Sequence, residues 1–88
     1  SPPLIFRGED LSLNYETSAF GSIRVELQGA GGDPIPGFTL EESTELFGNT
    51  TDRTVSWSGD PDLGALSGTP VRIRFVMRDA DIYSFKFH

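Results

Sequence analysis

The sequence predicts an all-β domain, a single antiparallel β-sandwich of jelly-roll-like build, on three observations. Apolar and polar residues alternate with period two in several separate runs, no long window carries a helical period, and Gly- and Pro-rich stretches divide the runs. With 88 residues the chain makes one small domain, 1–88. A domain of that size buries only a little over ~60% of its unfolded surface, which leaves little room for a deep catalytic cavity. Seven Phe, one Trp and two Tyr supply one compact core if their rings face inward.

Leu11, Leu13 and Tyr15 alternate with Ser12, Asn14 and Glu16, and Ile23, Val25 and Leu27 with Arg24, Glu26 and Gln28. Both runs read as half-buried antiparallel strands joined by the connection TSAFG. The next stretch, QGAGGDPIPG, reads as a loop, because Gly permits positive φ and Pro removes a ladder donor. Phe38 to Leu40 is read as a short strand and Glu41 to Thr50 as loop or a single helical turn. Arg53 to Ser58 resumes alternation with Val55 and Trp57 inward, and a short turn at Asp62 to Leu66 offers Leu63 and Leu66 as a plug for one end of the core.

The run from Pro70 to Phe87 raises the question of what Asp79 and Asp81 do. Taken as a hairpin, it admits two registers. A two-residue loop sets Phe75 against Ser84, whereas a three-residue loop, Asp79-Ala80-Asp81, sets Met77 against Tyr83, Phe75 against Phe85 and Ile73 against Phe87. The second makes one face continuously apolar, so the aspartates are expected in a turn and not in a carboxylate pair.

Composition excludes several classes of chemistry. Without cysteine there is no disulfide, thiolate metal site or cysteine nucleophile. A net charge of −6 disfavours phosphate backbones and anionic membrane surfaces, so neither nucleic acid nor membrane is an expected partner. No apolar run approaches the ~20 residues that span a bilayer. The start Ser1-Pro2-Pro3, with no initiator Met and no signal-peptide pattern, reads as a cut from a longer chain.

No nucleophile and base stand out, and no cofactor or metal site is expected. His88, the sole histidine, is read as an ordinary end residue. The glycines of GAGGDPIPG lack the Lys and strand-to-helix context of a phosphate loop. Glu41, Glu42 and Glu45 read as a solvated loop, since neighbouring positions on such a segment cannot face each other across a sugar. Asn49-Thr50-Thr51 fits a glycosylation sequon. For carbohydrate contact the candidate platforms are Trp57, Tyr15, Phe38 and Phe47, with Trp57 sharing the parity of the inward Val55.

In the hairpin register, the face opposite the apolar one carries Arg72, Arg74, Val76 and Arg78 with Ile82, Ser84 and Lys86, and Arg74 lies beside Lys86. Like charges directly opposite destabilise a pair. Two explanations fit: acids such as Glu16 or Glu26 neutralise the stripe, or the stripe docks on an acidic surface of a parent protein, with Val76 and Ile82 as its apolar centre.

Read together, DLSLNYETSAFGSIRVELQ, GGDPIPGF, DRTVSWSG and DLGALSGTPVRIRFVMRDADIYSFKF resemble the C-terminal β-sandwich module of large bacterial proteins related to glycoside hydrolases. Those proteins carry a five-bladed propeller domain similar to glycoside hydrolase families 32 and 43. The resemblance spans about Asp10 to Phe87 and is strongest where D-L-x-A-L-x-G leads into V-R-I-R-F-V and D-A-D-I-Y-S-F. It implies a secreted or otherwise extracytoplasmic, non-catalytic accessory module that packs against the parent chain's catalytic domain, with a polysaccharide as the alternative partner. The propeller families' Arg-Asp-Pro element is not matched, because Arg78-Asp79 is followed by Ala80, and no catalytic role transfers.

Overall fold

The computed structural model describes residues 3–88. Ser1 and Pro2, hence the cut end read from them, lie outside the described residues, as do the side chains of Thr50 and Thr51 in the sequon. The described residues are mostly antiparallel β. Four strands form one curled sheet, a half-barrel: β1 (Leu4–Ile5), β2 (Leu11–Gly29), β3 (Asn49–Thr54) and β4 (Pro70–Phe87), in the spatial order β1-β4-β2-β3.

The alternating runs are strands as expected, but their connections differ. The two runs of β2 are one strand, the two runs of β4 are another, and the pair run antiparallel over nearly their whole length, from Leu11↔Phe87 to Gly29↔Val71. The expected hairpin at Asp79-Ala80-Asp81 does not form. Ala80 pairs with Thr17 and Asp81 with Glu16, while Arg78 pairs with Ser22, so Ser18 to Gly21 of β2 swing past Asp79 alone. This is a bulged corner at which both strands turn together. Asp79 takes a left-handed backbone (φ 46°), which Asp tolerates better than most residues with a Cβ, so the residue type suits a turn or a corner alike.

Gly21 makes the corner possible. A Cβ there would come within 2.7 Å of the Arg78 carbonyl oxygen and closer still to that of Asp79. Irregularities on both sides of the corner set which side chains face inward. Thr17↔Ala80 and Tyr15↔Ile82 put Ala80 and Ile82 on the inner face, and a further shift at Tyr83 returns the parity, so Phe85 (opposite Leu13) and Phe87 (opposite Leu11) face inward too.

The inner face holds the core: Leu11, Leu13, Tyr15, Ile23, Val25, Leu27, Val71 and Ile73 are all buried. Phe6 stacks on Phe87 at 4.0 Å between ring centroids, tying the N-terminal segment to the end of β4. The segment between β2 and β3 is a series of turns, one of them closed helix-fashion by the Ser43 N–H on the Thr39 carbonyl at 3.0 Å, with Leu46 exchanging backbone hydrogen bonds with Ile23 (2.8 and 2.9 Å) and Ser43 bridging to Trp57. Phe38 lies in a turn and not in a strand, and β3 begins earlier than the alternation suggested, yet Phe38, Val55 and Trp57 all reach the core. The short turn forms as a 3-10 helix, Leu63–Leu66, capped by Asp62 accepting from the Gly64 N–H at 3.0 Å. Leu63 is buried and Leu66 packs against the core.

Candidate functional site

The basic stripe of the hairpin register is divided by the corner. Arg72, Arg74, Val76 and Arg78 face outward beside Gln28, Glu26, Arg24 and Ser22 of β2, while Lys86 lies beside Ser12 on the other arm. Arg74 therefore does not oppose Lys86. Arg74 sits 3.8 Å from Glu26, and Lys86 sits 3.6 Å from Asp52. Ile82 does not share a face with Val76: the corner turns it inward to pack on the core, and Val76 stays outside at 40% exposure. The proposed apolar centre of that stripe is thus dismantled by one change of parity.

Glu26 is itself buried, and its carboxylate accepts from Gln28 Nε2 (2.8 Å) and the Leu40 N–H (3.3 Å) in addition to the Arg74 contact. A buried charge is tolerable when surrounded by donors in this way.

Of the aromatic candidates, Tyr15, Phe38 and Trp57 are core residues and offer no ring face to solvent. Trp57 donates from Nε1 to the Val25 carbonyl at 3.0 Å and meets Phe38 edge to face at 5.0 Å. The Tyr15 hydroxyl donates to the Phe47 carbonyl at 3.1 Å. Only Phe47 of the four is exposed, at 60%, and Phe20 in the corner joins it at 89%. Phe20 belongs to the connection TSAFG, where a large aromatic in a connecting segment is itself a signal of an exposed surface.

The most distinctive surface is one that period-two logic assigned to the core. Phe75, Met77 and Phe85 share the inner face with the buried residues of β2, but the half-barrel is open there. Met77 is 49% and Phe85 42% exposed, and both line grooves with Phe75, the larger of about 660 Å³. Beside them runs the outer edge of β4. β1 pairs with it at Pro70 and Val71, Arg72 donates from Nε to the Ala30 carbonyl at 2.8 Å, and among the described residues no backbone hydrogen bond other than those with β2 reaches β4 from Arg74 to Phe87. Exposed apolar side chains grouped in a groove mark a surface suited to a partner.

At the other end of β4, His88 is not a loose terminus. Its backbone exchanges hydrogen bonds with Asp10 (2.9 Å each), it accepts from Glu9 at 3.0 Å, and its Nε2 lies 2.6 Å from Ser12 Oγ. Ser12 is buried, and the pair anchors the strand end. The Tyr83 hydroxyl donates to Glu16 at 2.6 Å, and this hydrogen bond to the carboxylate, together with partial desolvation and the charges of Glu16 and Asp81, raises its pKa above the ordinary tyrosine value. No group of three or more metal-ligating side chains assembles among the described residues.

Comparison with protein-family models, with curated proteins and with solved structures finds no match to this chain.

Proposed function

We infer that this domain is a non-catalytic accessory module that packs against a companion domain of a glycoside-hydrolase-like parent chain and stabilises or positions it. The observation that carries the docking role is the open mouth of the half-barrel, where Met77 and Phe85 stand roughly half exposed on the face that elsewhere forms the core. Covering such side chains is worth about 25 cal/mol per Å² of apolar surface removed from water, which gives the mouth a strong preference for a partner. On this reading the companion supplies the second layer of the sandwich. The parent's identity as a glycoside-hydrolase relative, and the secreted location, rest on the resemblance of the Asp62–Phe87 ending.

The test is association of the isolated domain with the parent's neighbouring domain, measured by calorimetry, with Met77→Glu as the variant. Binding weakened at least tenfold in the folded variant supports docking through the mouth. Equal binding by both proteins would place the interface elsewhere, and no binding would remove the accessory role.

A second reading, carbohydrate binding, is favoured by a separate observation. Thr17 and Gly48 are joined by two hydrogen bonds, N–H to carbonyl at 2.9 Å and Gly48 N–H to Thr17 Oγ1 at 2.8 Å, and exposed Phe47 and Phe20 lie close in sequence to that link. Exposed aromatic rings are the groups on which sugar C–H surfaces stack. A glycan screen decides it: selective binding lost in folded Phe47→Ala and Phe20→Ala variants supports it, and no binding across plant, algal and bacterial polysaccharides removes it.

A further inference from the structure

We propose that Asn49 is an N-glycosylation site whose first sugar stacks on the ring of Phe47. The export this requires is the extracytoplasmic location inferred above, and the mouth of the half-barrel stays free, because Asn49 lies on the opposite face.

The sequence supplies the acceptor. Asn49-Thr50-Thr51 has an Asn, a residue other than Pro and then a Thr, the pattern that transferases of the secretory pathway read. The donor is an oligosaccharide linked to a polyprenyl pyrophosphate. The Asn49 amide nitrogen forms a bond to C1 of the first sugar, and the bond from C1 to the phosphate oxygen breaks. The lipid pyrophosphate leaves with that electron pair, and the amide gives up one proton to the transferase.

The fold then places the acceptor where a glycan fits. Asn49 opens β3, the outermost strand in the order β1-β4-β2-β3, and is exposed. Its partner across the ladder is Glu16, and directly opposed residues share a face. Glu16 is exposed and follows the buried Tyr15, so both it and Asn49 belong to the outer face. A sugar on Asn49 extends into water and displaces nothing of the core.

Phe47 gives the first sugar a surface. Its ring is 60% exposed, although the backbone that carries it is fixed on both sides. Leu46 is paired with Ile23, the Tyr15 hydroxyl donates to the Phe47 carbonyl at 3.1 Å, and Gly48 is tied to Thr17 in both directions at 2.8 and 2.9 Å. Little conformational freedom is left in that backbone to be lost when a sugar settles on the ring. Phe47 stands two residues before Asn49, with Gly48 at φ 97° bending the chain between them. Two residues span at most about 7 Å, within reach of one sugar ring carried on the Asn49 side chain. The apolar C–H face of that sugar then covers a ring that packing inside the chain leaves bare.

The test is secretion of the chain from a eukaryotic cell behind an added signal peptide, which supplies export whatever compartment the chain natively occupies. Mass spectrometry should find a glycan on the Asn49 peptide, absent in Thr51→Ala. The glycoform, trimmed to its first sugar, is then compared in urea with the same chain made in a bacterium that lacks the transferase. The trimmed glycoform should show an unfolding constant about fivefold smaller, taking the stacked ring as equal to an aromatic pair. In Phe47→Ala, which keeps the backbone carbonyl that Tyr15 binds, Asn49 should still be modified but the two forms should unfold alike. A bare Asn49 in the secreted chain overturns the site. A glycoform no more stable than the bare chain, or a gain that survives Phe47→Ala, overturns the stacking on Phe47.

Discussion

Phe75 and Phe85 lie on the same strand, yet their ring centroids are 5.7 Å apart. Ten residues of straight strand would separate them by about 33 Å. The contact exists because β4 turns through the corner at Asp79 and brings its two arms face to face, each arm still paired with its own stretch of β2. The corner therefore creates both the core and the mouth that stays open at its rim.

The corner depends on Gly21. Gly21→Ala drives a Cβ into the carbonyls of Arg78 and Asp79, which are backbone atoms of a paired strand and cannot step aside. We expect a loss of about 2 kcal/mol or more, the upper range for overpacking. Gly31→Ala, where nothing lies within 4 Å, should change stability by less than about 0.5 kcal/mol. Urea unfolding of the two variants makes the comparison.

Trp57 is structural. Trp57→Ala removes the ring packed on Phe38 and the donor to the Val25 carbonyl, at a cost of about 3–5 kcal/mol. Against a total of about 4–13 kcal/mol for a chain this long, the variant should be marginally folded, visible as a large drop in thermal midpoint by circular dichroism.

The period-two pattern located β2 and β4 and most of their inward residues and turned Val55 and Trp57 to the core, but it gave no sign of β1 and set β3 too late. It could not distinguish a turn from a corner. A short polar interruption with Asp79 in a left-handed conformation serves either, and the choice is made by TSAFG, far away in sequence, which carries the matching interruption and the glycine that lets the backbones approach. Because the corner shifts parity, Ile82 moved inward and the arginine stripe was split. The mouth escaped notice for a different reason. Alternation says which face a side chain joins, not whether the sheet closes over that face.

Glu26 and Arg74 should respond unequally. Arg74 is largely exposed, so Arg74→Ala should cost less than about 1 kcal/mol. Glu26→Ala leaves the Leu40 N–H and the Gln28 amide without their acceptor in a buried setting and should cost about 2–3 kcal/mol. Chemical denaturation of both variants at neutral pH checks the order.

Tyr83 should titrate late. The hydrogen bond to Glu16 favours the protonated phenol, so its pKa in the folded chain lies above the unfolded value. A raised value means the stabilisation is complete below the unfolded pKa, near 10, and is lost as pH climbs through the folded one. Carbon NMR of the Tyr83 ring should show a midpoint above the ordinary value, returning toward it in Glu16→Gln.

Docking through the mouth is tested most directly at Met77, the chain's sole methionine. Its oxidation by peroxide, followed by mass spectrometry of the peptide that contains it, reports whether the mouth is covered. In the isolated domain Met77 should oxidise readily, and joined to its companion domain it should be protected severalfold, with protection lost in a Phe85→Glu variant. Equal oxidation rates in the isolated and the joined protein would show the mouth open to water in both, and would contradict docking through this face.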